Sequence, residues 1–198
     1  SIELKKCIKS KYVSTVSNYV NLFESKISKF VKSKYVIATI NGTAAIEIAL
    51  RSIGVKKNEE VLIPNLNYIA SANCVLRIGA IPHFLDSNLK NLGIDTIKLK
   101  KYLKSNTYFK NGKLINKKTK RIVKAIIPTH IFGNSCDIKE IIKIARKYKL
   151  KVIEDSSEAL GSFYENKHLG TLGDAGVISF NGNKIITTGS GGVIITNN

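Results

Sequence analysis

Five short polar clusters each follow an apolar, β-branched run: Asn41-Gly42-Thr43, Asn65 to Tyr68, Thr129-His130, Asp155 to Glu158, and Asn181 to Lys184. In an open α/β sheet, the residues just after the strands are the ones that meet ligands. Gly42-Thr43 opens a helical stretch, so free backbone N–H groups and the helix dipole can hold a phosphate there beside the Thr43 hydroxyl. An ordinary N-cap explains the same residues. Asp155 closes an apolar strand, where a carboxylate needs a cationic or hydrogen-bonding partner; a capping acid is the alternative. Lys184 lies between Gly182-Asn183 and the glycine-rich Thr188-Gly189-Ser190-Gly191-Gly192, a setting suited to a Schiff-base lysine. In so lysine-rich a chain, a plain surface charge is the competing reading. Together the clusters describe a site for an anionic, aromatic, carbonyl-bearing cofactor.

Other chemistries lack their parts. Gly189-Ser190-Gly191-Gly192 runs into a β-run rather than a helix, so it is neither a dinucleotide fingerprint nor a phosphate-binding P-loop. His83, His130 and His168 have no metal-ligand spacing, and no metal is expected. Serine hydrolysis lacks its nucleophile elbow.

The elements that must position these groups can be read from periodicity. Residues 12–33 carry Val20, Phe23, Ile27, Phe30 and Val31 at helical spacing. Strands are expected at 35–40, 61–64, 81–86, 122–128, 151–155, 176–180 and 192–196, with helices at 44–53, at 70–78 and from Asp137 onward. The polar stretch to about residue 120 reads as helix and loop, with Asn111-Gly112 as a turn between short arms. The expected fold class is therefore α/β, a mostly parallel seven-stranded sheet with helices on both faces. The link from the sixth strand to the seventh is too short for a crossover helix, so the seventh strand should run antiparallel.

Composition bounds the rest. A chain of 198 residues, 43% apolar with 3 prolines, can build a core and is not wholesale disordered. Cys7, Cys74 and Cys136 are odd in number and contain no CxxC, which suits a reducing compartment. No apolar run approaches the roughly 18 residues of a membrane span, and the first residues lack a signal-peptide core. A soluble, cytoplasmic protein with no membrane partner is expected. The net charge of +18 favours anionic partners. Yet the lysines are scattered on helix faces and through 98–124, without interleaved aromatics or a recognition helix, so a solvated surface is preferred to a nucleic-acid groove.

Read together, several segments resemble the DegT/DnrJ/EryC1/StrS family of sugar-nucleotide aminotransferases, on the fold shared with aspartate aminotransferase. They are Asn41-Gly42-Thr43-Ala44-Ala45, Pro64 to Asn73, Gly79-Ala80-Ile81-Pro82, Val152 to Ala159, and Gly170 to Gly176 running on through Ser179-Phe180-Asn181-Gly182-Asn183-Lys184. They occur in family order along nearly the whole chain. The resemblance implies pyridoxal 5′-phosphate as cofactor, Lys184 as the lysine that condenses with it and shuttles the proton, and Asp155 as the acid facing the pyridine nitrogen. It further implies Gly42, Thr43, Ala44 and Ser179 at the phosphate, Tyr68 stacked on the ring, Glu158 approaching the cofactor, and His130 and Asn183 toward the substrate. Related dehydratases carry histidine at the lysine position, so Lys184 favours transamination. The implied reaction aminates a nucleotide-linked 4-keto-6-deoxy sugar with glutamate as donor, in surface polysaccharide or glycan sugar biosynthesis, with the basic surface attracting the sugar nucleotide. Ser190 and Asn67 depart from common family residues. Family members run to nearly twice this length, so residues 1–198 correspond to the cofactor-binding large domain, begun within its first helix and lacking the C-terminal small domain. A homodimer is implied for the full-length form. The rival readings are a truncated module that turns nothing over and a basic nucleic-acid binder.

Overall fold

Alternation of apolar side chains along the strands sets the layers of this protein. The computed structural model describes residues 2–11, 13–15 and 17–198. In chain order the elements are α1 (Ile2–Lys9), α2 (Asn18–Val31), β1 (Tyr35–Thr39), α3 (Gly42–Ser52), β2 (Glu60–Pro64), α4 (Ala70–Arg77), β3 (Ile81–Leu85), α5 (Thr96–Asn106), β4 (Thr107–Lys110), β5 (Lys113–Asn116), β6 (Val123–Ile126), α6 (Ile138–Lys147), β7 (Lys151–Asp155), β8 (Phe163–Tyr164), β9 (Lys167–His168), β10 (Ala175–Ser179) and β11 (Gly192–Thr196).

Seven of these strands form one sheet in the order β1-β11-β10-β7-β6-β2-β3. Pairing is parallel from β10 through β3, while β11 runs antiparallel to both β1 and β10. The α/β class, the seven strands and the reversed last strand thus match the reading of the sequence. On one face Val61 and Ile63 of β2 pack with Ile46, Ala49 and Leu50 of α3 and Val75 of α4. On the other, Leu62 meets Leu99 and Leu103 of α5 and Ile138, Ile141 and Ile144 of α6. Toward the β1 end, Phe23, Ile27 and Val31 of α2 cover Val36, Ile178, Val193 and Ile195. Period-two strands buried on both faces leave helices on both sides as the stable arrangement.

Local details differ from expectation. The helix expected at 12–33 begins only at Asn18, because Ser17 is extended (φ −74°, ψ 151°), and it ends where Lys32 turns left-handed (φ 56°). Tyr12 and Val16 lie outside the described residues. A separate helix, α1, precedes it and buries no residue. The Asn111-Gly112 turn does join two short arms, β4 and β5, with φ of 50° and 74°. A second hairpin, β8–β9, was not legible, since its left-handed turn positions are Glu165 and Asn166 (φ 45° and 64°) rather than a glycine pair.

At the amino-terminal edge of β2, buried Glu60 accepts from Asn116 Nδ2 (2.8 Å) and Thr119 Oγ1, with His83 Nδ1 at 3.4 Å. Burial pushes its carboxyl upward, and these donors more than reverse that, leaving it below the usual carboxylate range. His83 is thus part of a structural knot. Among the described residues, no helix is long and apolar enough to cross a membrane.

Candidate active site

The carboxyl ends of β1, β2, β6, β7 and β10 open onto one cavity of about 570 Å³. Its lining includes Gly42, Thr43, Tyr68, His130, Asp155, Glu158, Ser179, Asn183 and Lys184. Of the ten residues singled out from sequence, only Ala44 is missing from the wall. It lies further into α3, and its N–H already donates to Asn41 Oδ1 at 2.8 Å, so this N-cap removes it from the groups open to an anion.

Asn41 makes the α3 terminus by leaving the strand extended (φ −166°, ψ 171°) and capping the helix with its own side chain. The N–H groups of Gly42 and Thr43 then have no partner among the described residues. Close approach requires a glycine here, because a Cβ on Gly42 would lie 2.9 Å from Ser179 Cβ at the end of β10. Two open N–H groups, the positive end of an 11-residue helix and the Ser179 hydroxyl therefore converge on one spot. That donor set suits a phosphate.

Asp155 ends β7 and is 4% exposed. Its Oδ2 accepts from Ser71 Oγ at 2.8 Å and its Oδ1 from the Ser157 N–H at 3.2 Å. It does cap its own turn, as the alternative reading held, yet it also faces the cavity. Among the described residues no cation lies within ion-pairing distance of it, and a buried carboxylate is strongly favoured by a cationic partner. The wall therefore offers an acceptor suited to a ligand N–H carrying positive charge.

Lys184 lies on the loop between β10 and β11, where the antiparallel return carries the chain across the strand ends. Its side chain is only 12% exposed, which separates it from the many surface lysines. Nζ donates to Glu158 Oε1 at 3.1 Å and sits 5.9 Å from the Tyr68 ring centre. Glu158 Oε2 accepts from the Phe132 N–H at 3.1 Å, pinning a backbone turn in which Phe132 is left-handed (φ 53°). Asn183 lines the exposed side beside Lys184. The amine and the acid thus occupy one cavity.

His130 also lines the cavity, but both ring nitrogens are engaged inside the protein. Nε2 lies 3.0 Å from Glu154 Oε2, and Nδ1 accepts from the Cys136 N–H at 3.4 Å. The His130 side chain is fully enclosed, so the residue presents neither a free nitrogen nor an open ring face to a ligand. Glu154 is wholly buried and also accepts from the N–H groups of Gly170 (3.0 Å), Leu172 (2.6 Å) and Gly173 (2.6 Å). This knot ties the ends of β6 and β7 to the turn before β10. Sequence reasoning assigned no role to Glu154, Ser71 or Thr129. The signal for Glu154 was present, since consecutive acids on a strand buried on both faces must point to opposite sides. Cys74 and Cys136 are buried free thiols, and burial pushes Cys74 up to about 11 and Cys136 higher still, so neither is an available nucleophile.

The excess positive charge is not gathered at this cavity, whose charged side chains are Lys184, Asp155 and Glu158. Lys56, Lys57, Lys113, Lys120, Arg121 and Lys124 instead surround a shallow depression of about 480 Å³ at the amino-terminal end of the sheet.

Comparison with known proteins agrees with this geometry. The model of the DegT/DnrJ/EryC1/StrS aminotransferase family matches residues 2–198. A GDP-perosamine synthase from Caulobacter vibrioides is 39% identical over 191 residues, covering 96% of this chain and 47% of that protein. A crystal structure of a DegT DnrJ EryC1 StrS aminotransferase from Brucella abortus superposes with a TM-score of 0.88 at 28% identity, over 98% of this chain and 50% of that one. NtdA from Bacillus subtilis, solved with bound cofactor PMP, gives 0.82 at 31% identity, over 98% and 40%. The chain spans about half the length of the curated relatives it matches. With the family model matched along residues 2–198 and the same fold in its solved relatives, the chain belongs to the DegT/DnrJ/EryC1/StrS aminotransferase family of pyridoxal-phosphate-dependent enzymes.

Proposed function

We propose that this chain is the cofactor-binding part of an aminotransferase that uses pyridoxal 5′-phosphate to aminate a nucleotide-linked 4-keto-6-deoxy sugar, with glutamate as amino donor. The observation that carries the reading is the pairing, within one cavity, of a buried acid, Asp155, that no cation reaches among the described residues, with a shielded amine, Lys184, beside an anion-ready helix terminus. The residues fit the cofactor. Gly42, Thr43 and Ser179 would hold its phosphate, Asp155 its protonated ring nitrogen, Tyr68 one face of its ring, and Lys184 its aldehyde carbon. Bound there, the cofactor supplies an electron-withdrawing ring that stabilises negative charge beside the transferred amine.

The chain's own groups do the rest. Glu158 Oε1 accepts from Lys184 Nζ and aims the amine into the cavity, where it can take and return a proton. Ser71 and the Ser157 N–H donate to the two Asp155 oxygens and orient the carboxylate. The relatives' names support a nucleotide-sugar substrate, since GDP-perosamine synthases and a dTDP-3-amino-3,6-dideoxy-alpha-D-galactopyranose transaminase are among them. A homodimer in the full-length form is part of the same proposal. Its physical support is an apolar rim, Leu66, Tyr68, Ile69, Phe132, Ile185 and Ile186, left exposed around or beside the cavity.

The test is direct. The protein incubated with pyridoxal phosphate and reduced by borohydride should carry one covalent adduct on Lys184, located by peptide mass spectrometry. An adduct retained in Lys184→Ala would refute the assignment. Formation of an aminated product from a 4-keto sugar nucleotide and glutamate, by the chain alone or within its full-length form, tests the reaction itself.

A further inference from the structure

Among the described residues two buried side-chain oxygens lack a hydrogen-bond partner, Thr129 Oγ1 and Ser156 Oγ. Ser156 is fully enclosed and lies against Gly170, whereas Thr129 lines the cavity. Thr129 is itself 8% exposed. A parallel bridge pairs it with Asp155, flanked by His130 N–H to Asp155 O (3.0 Å) and Asp155 N–H to Pro128 O (2.9 Å). Laterally paired residues of neighbouring strands project to the same face, about 4.8 Å apart. The Thr129 and Asp155 side chains therefore stand side by side on one face of the sheet, and both residues line the cavity. A buried hydroxyl left without a partner is unfavourable, so this atom points to a polar group on a ligand.

The strand order says which group. β10, with Ser179 and the adjoining α3 terminus, lies on one side of β7; β6, leading to Thr129, lies on the other. Pyridoxal phosphate carries its phosphate arm on one flank of the ring and its ring hydroxyl on the opposite flank, with the nitrogen between them at the end away from the aldehyde. With the nitrogen on Asp155 and the phosphate toward β10, the hydroxyl flank faces β6. We propose that Thr129 is a further cofactor-binding residue, its side-chain hydroxyl hydrogen-bonding the ring hydroxyl of pyridoxal phosphate. This rests on the cofactor reading above.

The test measures binding rather than turnover, by equilibrium dialysis with pyridoxal phosphate and with its 3-O-methyl analogue. Thr129→Val removes the hydroxyl at nearly constant shape. It should weaken binding of pyridoxal phosphate about tenfold, equivalent to about 1.4 kcal/mol, while changing the affinity of the methylated analogue less than about twofold. Thr129→Ser should bind both compounds like the parent. The ligand-free Thr129→Val protein should melt at or above the parent temperature, because an unpartnered buried hydroxyl is gone. Equal losses for both compounds, or no loss for either, overturn the proposal. If the parent protein binds neither compound, the cofactor reading itself has failed, and the two failures are told apart at that first step.

Discussion

Replacing Glu154 by glutamine removes one charge and changes no volume, yet it should unfold much of what positions the cavity. The carboxylate is wholly buried and receives four N–H groups, from Leu172 and Gly173 at one oxygen and from Gly170 and His130 at the other. An amide keeps one acceptor oxygen and turns the other edge into a donor. If the NH2 faces Leu172 and Gly173, two backbone N–H groups that lay 2.6 Å from an acceptor lose it. If it faces the other edge, Gly170 loses its acceptor. His130 could then accept at Nε2 only by carrying its proton on Nδ1, which already receives the Cys136 N–H. Either way about two buried groups are left unsatisfied, at about 1–3 kcal/mol each, so a loss of about 2–6 kcal/mol is expected. For a chain of this size that lowers the melting temperature by about 4–24 °C. Urea denaturation of the ligand-free protein followed by far-ultraviolet circular dichroism at pH 7.5 measures it without involving any cofactor. A midpoint shift equivalent to less than about 0.5 kcal/mol would refute the argument that this knot ties β6, β7 and the turn before β10 together.

Three further outcomes are expected. Gly42→Ala places a methyl 2.9 Å from Ser179 Cβ and so should weaken pyridoxal phosphate binding at least tenfold with little loss of secondary structure, read by dialysis and circular dichroism. Gly176→Ala drives a Cβ into the Gly170 carbonyl oxygen, a backbone group with no rotamer to yield, and should destabilise the fold by more than about 3 kcal/mol in the same urea assay. Burial holds the His168 imidazole below its ordinary value of about 6.5. The folded state therefore binds fewer protons than the unfolded state, its contribution is complete above about pH 7, and stability falls as the pH drops through 6.5 toward the folded value. His168→Gln, which can still accept from the Gly161 N–H, should flatten that slope between pH 7 and 5; an unchanged slope would contradict it.

Much of the fold was legible because a sheet buried on both faces writes long β-branched runs between helical periods, as at Val61 to Pro64, Val152 to Asp155 and Val193 to Ile195. The site was legible in part for the same reason, since polar residues just after such runs stand out. What escaped was set by contacts with no local signature. The β8–β9 hairpin turns on residues outside the usual turn pair, the start of α2 depends on an extended Ser17, and the helix cap that occupies Ala44 depends on how Asn41 folds back.

The chain's order of residues, by itself, determined the α/β layering, the reversal of the last strand and the candidate acid and amine, because periodicity and chain connectivity are properties of short segments. Only the tertiary structure decided that, among the described residues, no cation reaches Asp155 while Ser71 orients it, that Lys184 rests on Glu158, and that the buried Thr129 hydroxyl is left without a partner. Those facts depend on which strands lie side by side and on how deeply each side chain is removed from water, and both are fixed by packing between segments far apart in the chain.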